Sequence, residues 1–218
     1  MIFKDLSPLA LALLAVVSLL ATTASARTLS VVGLGDSLMA AYNLEKAEGF
    51  PAKLEAALRQ QGFDVTIADA GVSGDTSTGG LARLDWSVPD GTDAVILELG
   101  ANDALRGISP EKTRENLEAM ISRLKERGIA VLLVGMLAPP NMGEAYEAAF
   151  NAIYPKLAEK HGLTLYPFFL DGVTTFPQFQ LEDGMHPNAA GIEVMVERFA
   201  PVAARFLTEL SASMEPAN

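Results

Sequence analysis

Leu29-Ser30-Val31-Val32-Gly33-Leu34-Gly35-Asp36-Ser37-Leu38 decides the fold. A short apolar run ends in Gly-Asp-Ser, which is turn composition, so residues 29–34 read as a buried strand with Ser37 just past its carboxyl end. Outward from there, short apolar runs alternate with longer amphipathic ones. Phe50, Leu54, Ala57 and Leu58 fall at helical spacing and Gly62 closes that helix. Residues 63–68 read as a second strand. Asp75 or Thr76 is placed to cap a helix reaching Leu84. Residues 94–99 form a third strand, almost continuously apolar, the pattern of a strand covered on both faces. Ser109-Pro110 is a cap followed by proline at the first helical position. Leu117, Met120, Ile121 and Leu124 make the inner stripe of the helix that follows, and Gly128 ends it. A fourth strand over 129–134, a helix over 146–161 closed by Gly162, a fifth strand over 163–166 and a last helix over 187–210 complete the chain. This β-α-β-α order, free of hairpin signals, predicts an α/β fold: a three-layer α/β/α domain with a parallel sheet. No repeat or linker divides it.

The amino-terminal segment stands apart. An apolar stretch of about a dozen residues, from Leu9 to Ala21, has the size of a signal-peptide core, and Ala24-Ser25-Ala26 supplies a small-x-small cleavage pattern. Residues 1–26 are therefore read as a signal peptide and 27–218 as a single domain. The competing reading is an uncleaved anchor. It needs roughly 20 apolar residues, and Thr22, Thr23 and Ser25 interrupt the run. The expected location is periplasmic or secreted, with no stable membrane anchor after cleavage. The chain has no cysteine, which excludes a lipid anchor on a cleavage-site cysteine and a disulfide scaffold. The formal net charge is -11. Such a surface repels phosphate backbones and anionic membranes, so no nucleic-acid partner is expected. Simple solubility accounts for the charge without any specific partner.

In open parallel sheets, sites form outside the carboxyl ends of the strands. Ser37 follows the first strand, Gly71-Val72-Ser73-Gly74 the second and Gly100-Ala101-Asn102-Asp103 the third; Asp183 and His186 lie in the loop after the fifth. All share one rim. Ser37, His186 and Asp183 supply the nucleophile, base and orienter of a serine hydrolase triad, and with only two histidines in the chain there is almost no choice of base. Each motif alone has an ordinary reading. Gly-Asp-Ser is a common turn, and it is not the G-x-S-x-G elbow, because Met39 stands where the second glycine belongs. Asp183 is able to accept from His186 Nδ1 and leave Nε2 facing the serine. Pro187 suits a helix N1 position, which would put His186 at a cap and allow capping to be its whole role. Gly74 offers an N–H and Asn102 an amide to an oxyanion, yet both are also ordinary turn residues.

Other residues read as structural. His161 sits at a helix carboxyl end, where a cation is favoured. Asp36 and Asp103 are expected to bond loop backbone, and Trp86 to pack. Leu105, Met142 and Phe176 are candidates to line an acyl pocket. Two histidines and no cysteine are too few for a typical zinc site, so no metal and no cofactor are expected.

Four blocks in order, Gly-Asp-Ser-Leu at 35–38, the glycine block at 71–74, Gly-x-Asn-Asp at 100–103 and Asp-x-x-His at 183–186, resemble the SGNH hydrolases, also called the GDSL family. Asn102-Asp103-Ala104-Leu105-Arg106-Gly107, Asn151-Ala152-Ile153-Tyr154-Pro155-Lys156-Leu157 and Asp183-Gly184-Met185-His186-Pro187-Asn188 resemble its exported bacterial branch of arylesterases and acyl-CoA thioesterase/lysophospholipases. The segment 137–142 looks closer to the arylesterases. The resemblance implies a five-stranded sheet in flavodoxin-like order. It also implies Ser37 as nucleophile, with Ser37, Gly74 and Asn102 as oxyanion donors, and His186 as base with Asp183 as its orienter. The expected activity is a cofactor-independent serine esterase acting on small acyl esters, aryl esters, acyl thioesters or lysophospholipids. A carbohydrate O-acetyl deacetylase with the same triad and a noncatalytic periplasmic binding module are the alternatives.

Overall fold

The structure, a computed structural model, describes residues 27–214. The segment 1–26, read above as a signal peptide, lies outside the described residues. Five strands, β1 (Leu29–Gly35), β2 (Val65–Gly71), β3 (Ala94–Glu98), β4 (Ala130–Val134) and β5 (Thr164–Tyr166), form one sheet in the order β2-β1-β3-β4-β5. Every pairing is parallel. This is the flavodoxin-like order, in which β1 and β3 are neighbours and the crevice between their ends is the switch point where such folds place ligands.

The sheet is covered on both faces, which is why β1, β3 and β4 read as apolar runs. On one face α1 (Phe50–Gln60) packs along the carboxyl-terminal helix α8 (Ala189–Met214). On the other, α5 (Pro110–Glu126) packs between α2 (Ser77–Ala82) and α7 (Ile153–His161). Phe50, Phe169 and Phe199 are almost fully buried and meet edge to face, with Phe50–Phe199 centroids 5.1 Å apart, and Tyr166 closes the cluster 4.7 Å from Phe199. Burying such rings removes large apolar areas from water. Ser109 Oγ accepts from Lys112 N–H ahead of Pro110, and Thr76 Oγ1 accepts from Gly79 N–H, so both caps form as the sequence implies.

Four local expectations are corrected. The helix over 146–161 is two, α6 (Glu144–Asn151) and α7, parted at Ala152. Pro155 has no N–H to return to Asn151, so the ladder breaks there. The helix expected to reach Leu84 is interrupted at Arg83, which separates α2 from α3 (Leu84–Ser87) and turns its guanidinium inward to the carbonyls of Gly35 and Ala70. His186 does not cap the last helix. Pro187 is bridged to Gln180, and Asn188 takes the cap, its Oδ1 accepting from Gly191 N–H at 3.0 Å. Trp86 does not pack: it is 85% exposed, because on the one-turn α3 the buried position is Leu84, and a residue two places on faces away. Between α2 and α5, the five-residue α4 (Ala101–Leu105) follows β3 directly. No helix among the described residues is long and apolar enough to cross a membrane.

Candidate active site

β1 ends at Gly35, and the chain turns at once. Leu38 N–H donates to Asp36 Oδ1 at 3.0 Å and Ala40 N–H to Asp36 O at 3.0 Å, which holds Ser37 at the crest of the turn. Gly35 is required here. A Cβ on it would stand 2.5 Å from Glu98 Oε2 and 2.8 Å from the Glu98 carbonyl, so no larger residue lets β1 and β3 lie this close.

The loop after β5 brings the other two groups. His186 Nε2 lies 2.9 Å from Ser37 Oγ, and His186 Nδ1 lies 2.6 Å from Asp183 Oδ2. Asp183 Oδ1 accepts from the N–H groups of Met185 and His186, each at 2.9 Å. The His186 N–H, helped by its ring and by the Met185 N–H, holds the Asp183 carboxyl down to about 2. An ionised carboxylate only accepts, so Nδ1 carries the ring proton and Nε2 is left to accept from the serine hydroxyl.

The other two strand-end blocks close around this array. Gly74, at φ 80°, lines the same cavity as Ser37, Asn102 and His186. Its loop is pinned from below by Arg83, which pairs with Asp75 at 2.7 Å while binding the carbonyls at the ends of β1 and β2. From above, Arg106 donates to the Gly74 carbonyl at 2.7 Å. Asn102 sits in the first turn of α4. Gly100 before it has φ 126°, and a Cβ there would stand 2.1 Å from the Tyr154 hydroxyl. Asn102 Nδ2 donates to Asp36 Oδ2 at 3.0 Å, which fixes the amide plane and leaves a second N–H. Asp103, buried, accepts from the Ser77 N–H and the Thr113 hydroxyl, anchoring α4 to α2 and α5. Asp36 bonds the backbone of its own turn at Leu38, as its position implies, and the Asn102 side chain besides. Asp103, expected to bond loop backbone, instead takes its partners from Ser77 at the start of α2 and Thr113 on α5, because it is buried where those helices meet α4.

Beneath the serine lies a buried carboxyl pair that sequence reasoning missed. Glu98, at the end of β3, accepts from the Asp36 N–H at 3.2 Å. Burial, reinforced by Asp36, pushes the Glu98 carboxyl well above the usual range and favours its neutral form. Burial also pushes Asp36 up to about 6, against the Leu38 N–H and the Asn102 amide, which favour its charge. A lone acid at the end of an otherwise apolar strand was the available signal.

A cavity of about 770 Å³ opens beside Ser37, walled by Leu105, Met136, Leu137, Ala138, Phe168, Leu170 and Met185 among others. Of the three residues expected to line it, Leu105 does. Met142 lies outside, against Gly107, and Phe176 lies outside, 44% exposed and edge-on to Phe179. Their place in the wall is taken by the segment 136–140 and by Phe168 and Leu170, whose approach depends on loop paths that periodicity does not encode. His161 is remote from this rim, at the end of α7 beside Gly162 in the left-handed region. Among the described residues no group of three or more His, Cys, Asp or Glu is placed to hold a metal ion.

A parallel three-layer α/β sheet with serine, imidazole and carboxylate in hydrogen-bonded series at its switch point has the make-up of a serine hydrolase. The comparisons narrow this. The signature of the GDSL-like lipase/acylhydrolase family matches residues 34–194. An arylesterase of Vibrio mimicus is 43% identical over 168 residues, 77% of this chain and 84% of that protein. The thioesterase 1/protease 1/lysophospholipase L1 of Escherichia coli (strain K12) is 39% identical over 166 residues, 76% of this chain and 77% of that protein. The crystal structure of AlinE4, an SGNH-hydrolase family esterase, superposes with a TM-score of 0.70 at 44% identity, covering 83% of this chain and 97% of that one. The chain belongs to the GDSL-like lipase/acylhydrolase family, and it is a carboxylic ester hydrolase.

Proposed function

We propose that Ser37, His186 and Asp183 are the catalytic triad of an esterase of the cell envelope that hydrolyses aryl and short-to-medium acyl esters. The observation that carries this is the unbroken series from Asp183 through His186 to Ser37, at 2.6 and 2.9 Å, in the wall of an apolar cavity. Ser37 Oγ attacks the ester carbonyl while His186 Nε2 takes its proton. The oxyanion settles among the N–H groups of Ser37 and Gly74 and the free N–H of the Asn102 amide. His186 then protonates the leaving alcohol, and in the second half activates water to release the acid from the acyl-enzyme. Asp183, ionised across the neutral range, stabilises the imidazolium that forms in each half.

The names of the relatives extend the substrate class to acyl thioesters and lysophospholipids. The apolar lining supports acyl chains over acetylated sugars, whose hydroxyls would find few partners there. Export rests on the segment 1–26, with the working domain beginning at Arg27. The test is hydrolysis of p-nitrophenyl esters from acetate to dodecanoate by the purified protein beside Ser37→Ala. Serine-dependent turnover with a preference for acyl chains is the expected result. Turnover confined to acetylated sugars would make it a deacetylase, and turnover retained by Ser37→Ala would end the assignment.

A further inference from the structure

Tyr42 lies on the face of the His186 ring. The two centroids are 4.2 Å apart and the planes are 30° from parallel. The backbone that puts Tyr42 there is unusual: Ala41 at φ 52° and Asn43 at φ 55°, one on each side, are the two non-glycine residues of the described chain with positive φ. Asparagine adopts this region readily, but alanine does not, because its Cβ crowds the carbonyl. Ala41 is buried as well, packed so closely against Gly49 that a Cβ on the glycine would stand 2.6 Å from its own. Strain of this kind persists only where the surroundings hold it, and it gathers at functional sites. Here its result is the placement of one ring. The Tyr42 N–H also reaches the Ser37 carbonyl at 3.4 Å, tying the ring to the nucleophile's own turn.

We propose that Tyr42 is a positioning residue for His186, holding the imidazole in line with Ser37 and stabilising the imidazolium through its π face. The proposal rests on the triad reading above. Asp183 fixes the imidazole in its plane through Nδ1, yet one in-plane bond leaves the ring free to tilt about it. Tyr42 removes that freedom by contact on the ring face. When Ser37 gives its proton to Nε2, the positive charge appears on a ring already seated on an electron-rich face, the geometry of a cation–π contact. His186 serves acylation and deacylation alike, so both halves gain.

Tyr42 also borders the acyl cavity, and the test must separate the two roles. Tyr42→Leu keeps an apolar wall and removes the π face. The proposal expects kcat to fall about 3- to 10-fold, by the same factor on p-nitrophenyl acetate and octanoate. The ring-retaining Tyr42→Phe rescues the loss. The His186 ring protons, shifted by the stacked aromatic ring in the parent, move towards their ordinary NMR positions in Tyr42→Leu. Those of His161, the other histidine, stay fixed and report an intact fold. A loss that grows with acyl length would make Tyr42 a pocket wall only. Unchanged His186 resonances together with parent kcat would overturn the proposal. Ser37→Ala, run alongside, keeps the failures apart: activity surviving there sinks the triad reading, whereas an inactive Ser37→Ala beside a fully active Tyr42→Leu sinks only the role of Tyr42.

Discussion

Asn102→Ala separates a catalytic donor from a structural tether. The Asn102 amide has two N–H bonds; one is spent on Asp36 Oδ2 at 3.0 Å, and the other is available to the cavity shared with Ser37 and Gly74. If the free N–H meets the oxyanion, its loss costs ~10²–10³ in kcat, about 2.7–4 kcal/mol of transition-state stabilisation. The same substitution strands Asp36 Oδ2, buried, without its side-chain donor, which costs about 1–3 kcal/mol of folding stability. For a domain of this size each kcal/mol lowers Tm by roughly 2–4 °C. The two penalties read out differently. Stability sets how many molecules are folded, while kcat per titrated active site is blind to that number. Sites are counted by the burst from a p-nitrophenyl phosphonate, and kcat is then measured on p-nitrophenyl butyrate with Tm followed in parallel. The expected outcome is a lowered Tm, a kcat per site reduced at least 100-fold, and a KM changed far less, because the donor meets charge that exists only in the transition state. A lowered Tm with kcat per site within about threefold of the parent, where ~10²-fold is required, would refute the oxyanion role and leave Asn102 as the tether of Asp36.

Asp183→Asn leaves the loop geometry in place but lets Nδ1 lose its proton, and kcat should fall about 10²–10⁴-fold, less than for a fully buried orienter because Asp183 is partly exposed; a fall under tenfold would remove it from the triad. Asp183 also makes stability depend on pH. Its folded value of about 2 lies below the unfolded ~3.9. The stabilisation is therefore full above about pH 4 and lost as pH falls towards 2. Denaturation midpoints should show this acid loss in the parent and a smaller one in Asp183→Asn. Glu98→Gln should fold and retain activity within a few-fold, because burial favours the neutral form of Glu98 and an amide oxygen still accepts the Asp36 N–H; Glu98→Ala, which orphans that N–H and opens a hole, should lose about 2–4 kcal/mol in urea titration. Equal destabilisation by both would mean that Glu98 is charged where it lies. Phe199→Ala empties the centre of the aromatic cluster and should cost about 3–5 kcal/mol by the same titration with kcat unchanged.

What was legible in the sequence follows from which forces act locally. β1, β3 and β4 announce themselves because both faces are buried, and the rule that parallel sheets bind at their carboxyl ends carried Ser37, Gly74, Asn102, Asp183 and His186 to one rim, where the structure brings them together. β2 is an edge strand with a half-exposed pattern, so its bounds shifted from 63–68 to 65–71. The break at Ala152 was written in Pro155, and the cap at Asn188 was masked by the proline before it. Glu98 was visible as a misplaced acid. Tyr42, Arg83 and Arg106 were not, because their roles depend on where distant backbone lies: the positive φ of Ala41, the joint ends of β1 and β2, the Gly74 carbonyl. Phe176 and Met142 failed as pocket residues for the same reason, since hydrophobicity says that a side chain wants cover but not which surface provides it.

The central claim is that Ser37 carries the acyl group. The most direct measurement is intact-mass and peptide mass spectrometry of the protein after reaction with a p-nitrophenyl alkylphosphonate, beside Ser37→Ala. One phosphonyl adduct per chain on the peptide holding Ser37, with turnover abolished in step and neither adduct nor turnover in the folded Ser37→Ala protein, is the expected result. Labelling at another residue, or ester turnover at the parent rate in folded Ser37→Ala, would contradict it.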